Sequence, residues 1–318
     1  MAGLEKAVAL LRGAERIIIL CHSFPDGDTL GAGSALCRAM RGLGKRAAVR
    51  CSDKVGPKYK YLFEGLGDDS FSPDLVVSVD VADPSLFGEP VYSQYGRKIG
   101  LSIDHHKSGT PFAEETLNNP EAAATCEVIF SLVKALGVKT DRLMANDIYT
   151  GITTDTGCFQ YVNTTPKTHR IAAELMECGA DTTEIDRAMF DTKSRARLEL
   201  ERRVLGSMRF EREGQVALIR ITKQMIRESE AIEDDLDGIA TIPRSIKGVK
   251  VGITLRERDD GAYKVSLRAR PPADASKICE KFGGGGHKGA AGCTLNMPAE
   301  KAEREIVEET ERYLDEYL

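Results

Sequence analysis

Histidine and aspartate side chains cluster at four places along this chain, each beside a predicted strand or helix. Imidazole nitrogens and carboxylate oxygens without thiolates suit divalent ions such as Mn²⁺, and they also fit Mg²⁺ or Co²⁺. If the strands are neighbours in a sheet, these side chains meet at one edge and predict a metal site. The residues are His22, Asp26, Asp28, Asp80, Asp104, His105, His106 and Asp155.

The number of acids indicates how many metal ions such a site would hold. Asp26, Asp28, Asp80 and Asp155 supply four negative charges, which two divalent cations would balance. Without metal, mutual repulsion would raise the pKa values of these carboxyls. Two-metal sites activate water and hold both oxygens of an in-line displacement at phosphorus. The pattern therefore predicts two-metal chemistry on a phosphate ester.

Each aspartate also has an ordinary structural interpretation. An aspartate that follows a strand is often a turn former or a helix N-cap. Taken alone, Asp28 is better explained as a cap, and Asp80 and Asp83 as turn residues. Taken together, histidines and acids at the expected strand ends favour the metal site over these separate roles.

The elements that position these residues alternate in the first half of the chain. Strands alternating with helices predict an α/β fold with a parallel sheet, in which ligands bind at the carboxyl ends of the strands. Short apolar segments predict strands at residues 16–20, 75–80 and 98–104. Helical patterns predict helices at residues 31–43, 125–136 and 143–153.

A second pattern begins after a charged, helical stretch at residues 188–212, which predicts a connecting helix. We assign residues 1–187 to a catalytic domain, 188–214 to the linker and 215–318 to a smaller α+β domain, with the active-site cleft between the domains. The predicted elements of the second domain are a strand at 215–222, a hairpin of 249–256 and 262–270, a helix at 274–282, a strand at 290–295 and a helix from Ala299.

A run of four glycines at residues 283–286 precedes His287 and Lys288. Such a run is either a flexible linker or a nest, in which backbone N–H groups converge on a phosphate. A linker would not continue into His-Lys and a strand of small residues, so the nest is favoured. A formal match to the dinucleotide-binding fingerprint is rejected because a predicted helix precedes it rather than a strand.

Composition and charge exclude several classes of protein. The chain has 318 residues, 44 of them basic and 49 acidic, and its net charge of −5 argues against a surface that coats a long nucleic-acid duplex. No stretch approaches the ~20 apolar residues that span a bilayer, and the charged N-terminal segment is unlike a signal peptide. None of the eight cysteines forms a C-x-x-C pair, which favours reduced thiols and a cytoplasmic protein.

Five motifs, in order, resemble those of the DHH phosphoesterase superfamily. They are HSFPDGD, VSVD, IDHH and TTDTGCF, followed by GGGGHKGAAG, which is similar to the signature of the DHH-associated substrate-binding domain. The size and two-domain plan resemble the stand-alone bacterial and archaeal branch. That branch contains oligoribonucleases that also dephosphorylate 3′-phosphoadenosine 5′-phosphate, and phosphodiesterases of cyclic or linear dinucleotides.

The resemblance implies a role for each matching residue. His22 and Asp26 would bind one metal, Asp28, His105 and Asp155 the other, and Asp80 would bridge both. Asp104 would orient a histidine, and His106 would face the substrate. The residues that would contact substrate phosphate are Arg268, Gly284, Gly285, Gly286 and His287.

The expected activity is hydrolysis of short oligoribonucleotides to 5′-mononucleotides, and of 3′-phosphoadenosine 5′-phosphate, with two ions, preferably Mn²⁺. A phosphodiesterase of cyclic or linear signalling dinucleotides would use the same residues. A catalytically silent nucleotide-binding regulator would lack one of the metal-ligating residues, and none of these residues is missing here. A pyrophosphate or polyphosphate hydrolase is disfavoured by the glycine-histidine segment. The expected partners are short RNA or nucleotides. Binding to a long nucleic-acid duplex or to a membrane is not expected, and a homodimer is compatible with the sequence.

Overall fold

The computed structural model describes residues 2–67, 69–107 and 109–317, and the chain divides between Thr192 and Lys193 into two compact units. Each unit has its own sheet. The first is a parallel α/β unit and the second is a mixed unit, so the predicted fold class is confirmed. In the part of the chain that the structure describes, no helix is both long and apolar enough to cross a membrane.

The first unit is built on a five-stranded sheet with the order β2-β1-β3-β4-β5, in which all neighbours are parallel. Its strands are β1 (Arg16–Leu20), β2 (Arg46–Arg50), β3 (Leu75–Val79), β4 (Ile99–Asp104) and β5 (Glu115–Asn118). Its helices are α1 (Ala2–Gly13), α2 (Gly27–Gly42), α3 (Glu89–Tyr95), α4 (Thr125–Leu136), α5 (Arg142–Asp155), α6 (Pro166–Glu177) and α7 (Thr182–Asp186).

Apolar cores cover both faces of this sheet, as a parallel sheet requires. Successive side chains of β1 point to opposite faces. Ile17 and Ile19 join the large core formed with α2, α4 and α5, whereas Ile18 and Leu20 pack in a smaller core with Tyr95 of α3. The three predicted strands are confirmed. The short strands β2 and β5 were not predicted, because RAAVR and ETLN carry little apolar signal.

Close packing between α2 and α5 brings the candidate ligands together. A Cβ added at Gly31 of α2 would collide with the backbone oxygen of Asp147 in α5, so only glycine permits this approach. The Asp147 carboxylate in turn accepts a hydrogen bond of 2.7 Å from Nε of Arg38. This buried pair ties α2 to α5, the two helices that carry Asp28 and Asp155.

The second unit contains a six-stranded sheet with the order β10-β11-β9-β8-β7-β6, in which only β7 and β8 are parallel within the described residues. Its strands are β6 (Arg209–Glu211), β7 (Val216–Ile221), β8 (Val251–Glu257), β9 (Tyr263–Ala269), β10 (Gly285–His287) and β11 (Ala290–Leu295). Its helices are α8 (Arg195–Gly206), α9 (Lys223–Ser229), α10 (Ile242–Ser245), α11 (Ala275–Glu280) and α12 (Ala299–Tyr317). The predicted hairpin is β8 and β9.

The predicted connecting helix at 188–212 is too long. The Ser194 side chain accepts a hydrogen bond from the Arg197 N–H and caps α8 at its N-terminus, so the helix begins only at Arg195. It ends at Gly206, and a short strand follows from Arg209. Residues 187–191 form a separate π-helical turn. Helix α8 belongs to the second compact unit. The assignment of 188–214 as a linker stays a prediction.

Candidate active site

The loop between β1 and α2 positions His22 and Asp26. The Asp26 carboxylate caps α2 by accepting hydrogen bonds from the N–H groups of Asp28 (3.0 Å) and Thr29 (3.1 Å). The cap is therefore Asp26, not Asp28 as the structural interpretation of the sequence supposed. His22 Nδ1 lies 2.8 Å from the Ser23 carbonyl, which directs Nε2 to 3.6 Å from both Asp26 and Asp80.

His105 is oriented in the same way from β4. Its Nδ1 lies 3.2 Å from the carbonyl oxygen of Ala122. Its Nε2 lies 3.5 Å from Asp155, 3.6 Å from Asp80 and 3.9 Å from Asp28. In the neutral imidazole, a backbone carbonyl that accepts from Nδ1 makes Nε2 the nitrogen that can bind a metal. Both histidines thus present the same nitrogen to a group of carboxylates.

Asp80 lies between the two histidines. It follows β3 in the left-handed region, at φ 59°, and its N–H donates to the Ile103 carbonyl of β4. One carboxylate oxygen is 3.6 Å from His22 Nε2, and the other is 3.6 Å from His105 Nε2. The second oxygen also accepts a hydrogen bond of 2.9 Å from the Thr125 hydroxyl. This carboxylate therefore faces two separate groups of ligands.

Asp28 is 1% exposed and caps a different helix from its own. Its oxygens accept hydrogen bonds from the N–H groups of Thr125 (2.6 Å) and Cys126 (2.9 Å), the first residues of α4. A Cβ at Gly151 would lie 2.5 Å from Asp28, so a glycine there makes room for the carboxylate. Burial raises the pKa of Asp28 well above its usual range, and Asp80 and Asp155 raise it further.

Asp155 is the last residue of α5 rather than lying beyond the helix, as the sequence had suggested. Burial, and then the charge of Asp80, raises its pKa to about 8. For His22, burial opposes protonation, but hydrogen bonds to Asp26 and Asp80 raise the pKa to about 11. The raised pKa values reflect negative charge crowded into one site, a condition that bound cations would relieve.

The ligand atoms form three groups in which every atom lies within 4.8 Å of the others. This donor set of imidazoles and carboxylates fits hard or borderline divalent ions, as the sequence predicted. All six predicted ligands are brought together. The groups are His22, Asp26 and Asp80; Asp28, His105 and Asp155; and Asp80, His105 and His106.

Asp104 holds His106 at the edge of this cluster. One Asp104 oxygen lies 2.7 Å from His106 Nδ1 and accepts from the N–H groups of His105 (2.7 Å) and His106 (3.3 Å). The hydrogen bond to Asp104 raises the pKa of His106 to about 9, although burial opposes this. Burial alone would raise the pKa of Asp104. The hydrogen bond with His106 outweighs burial, so the pKa of Asp104 is lowered. The hydrogen bond to Asp104 thus favours the charged form of His106 at the edge of the carboxylate cluster.

The glycine run of the second unit differs from the predicted nest. Gly283 is left-handed, at φ 71°, and terminates α11: its N–H donates to Glu280, and the N–H of Gly284 donates to Cys279. This is the Schellman pattern of helix termination. Gly285–His287 then forms β10, paired with β11. The first two N–H groups are thus used by the fold, so consecutive glycines do not converge on a common point.

The pairing of β10, β11 and β9 aligns Arg268 and His287 in one row of the second sheet. His287 of β10 is directly opposite Ala290 of β11, and Ala290 is directly opposite Arg268 of β9. Residues directly opposite one another project from the same face of a sheet. Two strand spacings put the Cα atoms of Arg268 and His287 about 10 Å apart. Only the small side chain of Ala290 lies between them in this row.

Two supporting residues were missed by the sequence reasoning. Thr125 contacts Asp80 through its hydroxyl and Asp28 through its N–H. The Ala122 carbonyl orients His105. A weak signal was available, because a run of three alanines before Thr125 places small residues at the start of α4, where close approach is needed.

Comparisons with known proteins match both units. The DHH family N-terminal domain matches residues 16–153, and the DHHA1 domain matches residues 214–316. The bifunctional oligoribonuclease and PAP phosphatase NrnA of Thermus thermophilus is 35% identical over 88% of this chain and 84% of that protein. The cyclic-di-AMP phosphodiesterase GdpP of Geobacillus thermodenitrificans is 25% identical over 96% of this chain, but over 49% of its own length.

A solved structure extends these matches to the fold. An exopolyphosphatase-related protein from Bacteroides fragilis aligns with a TM-score of 0.89 and 28% identity, covering 98% of this chain and 96% of that chain. The two domain models follow each other in the order of the two units. With a relative 35% identical along most of both chains, this protein belongs to the DHH family of phosphoesterases and carries a DHHA1 domain as its second unit.

Proposed function

We propose that this enzyme hydrolyses short oligoribonucleotides to 5′-mononucleotides and also removes the 3′-phosphate of 3′-phosphoadenosine 5′-phosphate. The observation that carries the proposal is the position of Asp80, whose two oxygens face two histidines in separate ligand groups. Such an arrangement suits a pair of ions acting on one phosphate. The relative from Thermus thermophilus, named for both activities, supports this choice of substrates.

Two divalent ions, preferably Mn²⁺, would be held by the carboxylate-imidazole cluster. His22 and Asp26 would bind the first ion, Asp28, His105 and Asp155 the second, and Asp80 both. When bound, such ions polarise the phosphate and lower the pKa of water at the site. The chain's own contribution is to hold the six ligands in place through carbonyl groups, helix N–H groups and the Thr125 hydroxyl.

His106 and Asp104 would act on the substrate side of the cluster. A protonated His106 donates to a phosphoryl oxygen or to the leaving oxygen and stabilises the negative charge that develops there. Asp104 keeps the imidazole oriented and favours its charged form. Asp104 is thus a positioning residue, and His106 is the proposed catalytic residue.

Arg268 and His287 would bind a phosphate other than the one being cleaved. Their alignment in one row of the second sheet supports this role, because both side chains project from the same face. A guanidinium can donate to two phosphate oxygens at once. In this proposal Gly284, Gly285 and Gly286 shape the strand that carries His287, and only Gly285 has open space around it for a substrate.

The cysteines support a cytoplasmic location for this activity. All eight are free thiols, and five of them are buried. Reduced thiols are typical of the cytoplasm.

A substrate panel tests the proposed function. The purified protein, loaded with Mn²⁺, Mg²⁺ or Zn²⁺, is assayed with dinucleotides, longer RNA, 3′-phosphoadenosine 5′-phosphate and cyclic dinucleotides. We expect the highest kcat/KM on dinucleotides, with Mn²⁺ at least as effective as Mg²⁺ and Zn²⁺ poorer. Preference for a cyclic dinucleotide would favour the activity named for the Geobacillus relative. Full activity after exhaustive chelation would exclude the two-metal proposal.

A further inference from the structure

Phe24 lies inside the segment that carries two of the proposed metal ligands, yet its side chain is 83% exposed. It is two residues from His22 and two from Asp26, so its Cα is within about 7 Å of each of theirs. A ring exposed to this degree adds little to the apolar core. The position of this phenylalanine therefore calls for an explanation outside the packing of the fold.

The backbone of Phe24 is held in an unfavourable conformation. Its φ is 53°, in the left-handed region that residues with a Cβ rarely adopt. The Phe24 N–H donates a hydrogen bond of 2.7 Å to the carboxylate of Asp53. Pro25 follows, and a residue before proline has further restrictions on its backbone. The conformation is thus maintained by neighbours rather than by local preference.

The residues before Phe24 are tied to two other segments. Both the N–H and the hydroxyl of Ser23 donate to the Leu86 carbonyl, at 2.6 and 2.7 Å. The Cys51 thiol donates to the His22 carbonyl at 3.2 Å. These contacts hold the loop from both sides. The ring of Phe24 consequently projects from a braced backbone.

We propose that Phe24 stacks on a nucleobase of the substrate and so determines which phosphate esters bind. The inference rests on the proposed function, because it requires a nucleotide substrate. Phe24 would contact the base of that substrate, and the ions held by the carboxylate cluster would bind its phosphate. Every base has a π-face, and aromatic side chains commonly bind single-stranded nucleotides through it. Because the backbone that carries the ring is already braced, binding a base would not incur the entropy cost of ordering a loop.

The test combines variants of Phe24 with removal of the base. The variants are Phe24→Ala, Phe24→Leu and Phe24→Tyr, with Phe210→Ala as the matched control, since Phe210 is an exposed phenylalanine of β6 in the second unit. The substrates are a diadenylate and its two abasic analogues, each lacking one base. Mn²⁺ binding by calorimetry and thermal unfolding report whether the loop and its ligands are intact.

We expect Phe24→Ala to lower kcat/KM on the diadenylate by about 10- to 100-fold, the usual effect of losing one stacked base. The loss should vanish on one abasic analogue, and metal binding should be unchanged. Phe24→Tyr should resemble the wild type, and Phe24→Leu should resemble Phe24→Ala.

Three results would overturn stacking while leaving the proposed function standing: no loss on any substrate, equal losses on all three, or full activity of Phe24→Leu. Equal losses would mean that Phe24 shapes the ligand loop. A wild-type enzyme that cleaves no dinucleotide would overturn the proposed function, and the inference with it.

Discussion

The two units use their sequence motifs in opposite ways. In the first, the side chains of the motifs are the proposed metal ligands and catalytic groups, and hydrogen bonds to Asp28, Asp80 and Asp104 hold them in place. In the second, most of the motif is glycine, and the backbone geometry explains it: Gly284 and Gly286 have no room for a Cβ. A motif therefore marks side chains with a proposed function in the first unit and a requirement of the backbone in the second.

This contrast bears on where substitutions will act. A change in the first unit alters charge in a crowded cluster around the buried Asp28 and Asp80, so its effects on activity should be large. A change of Arg268 or His287 alters a partly open face of a sheet and should affect binding of the substrate alone. A change of a glycine should affect stability before it affects binding.

Asp80→Asn should cause the largest loss. Asparagine tolerates the left-handed φ and can still accept from Thr125, so the fold is retained while the shared negative charge is lost. We expect activity to fall by at least about 1,000-fold, comparable with the loss of a central electrostatic group, and both metal occupancies to decrease. Turnover assays measure the loss of activity, and metal analysis of the purified variant measures the occupancy.

The matched control is Asp83→Asn. Asp83 belongs to the same turn, but its carboxylate caps a short helix by accepting from the Ser85 N–H. The Asp83→Asn variant should therefore keep near wild-type activity. Near wild-type turnover and metal content in Asp80→Asn would show that the first unit's site is assigned wrongly.

Arg268→Ala and His287→Ala should leave metal binding intact and lower kcat/KM on nucleotides by about 10- to 100-fold per lost charged hydrogen bond. Bis-p-nitrophenyl phosphate, which has no second phosphate, should be affected much less. Lys264→Ala, on the same strand and face as Arg268, is the control and should behave like the wild type. Equal losses on both substrates would mean that these residues support the fold.

Asp104→Asn should lower kcat by about 10- to 100-fold, as for other groups that orient a site residue. Because the Asp104 hydrogen bond raises the pKa of His106 to about 9, its loss should shift that pKa down toward the ordinary value near ~6.5. NMR titration of the metal-free protein measures the shift directly. An unchanged His106 titration would show that another group stabilises its charged form.

The smallest effects are expected at the glycines. Gly284→Ala should destabilise the second unit by about 1–3 kcal/mol, since its Cβ would meet the Cys293 side chain and the Gly292 backbone. Gly285→Ala has open space and should change the free energy of unfolding by less than about 0.5 kcal/mol. Urea unfolding compares the two. If Gly285→Ala is stable but loses nucleotide binding, Gly285 lies where a substrate approaches.

The sequence allowed the candidate ligands to be proposed because histidines and aspartates are chemically distinctive and several of them follow a strongly apolar strand, as Asp80 follows Val79. It could not show which acid caps α2, since Asp26 and Asp28 are both near the helix start. It could not show that Thr125 supports two ligands, because that contact joins α4 to residues distant in sequence. The row of His287, Ala290 and Arg268 depends on strand register, which glycine-rich segments specify weakly.

The double role of Asp28 has a thermodynamic consequence. The same carboxylate that would bind an ion also satisfies the first N–H groups of α4, so occupancy of the site and integrity of the first unit are coupled equilibria. By mass action, an ion present at 100 times its dissociation constant would add about 2.7 kcal/mol to the stability of the folded form. The melting temperature of this unit should therefore rise with its metal content, and a chelator should lower it.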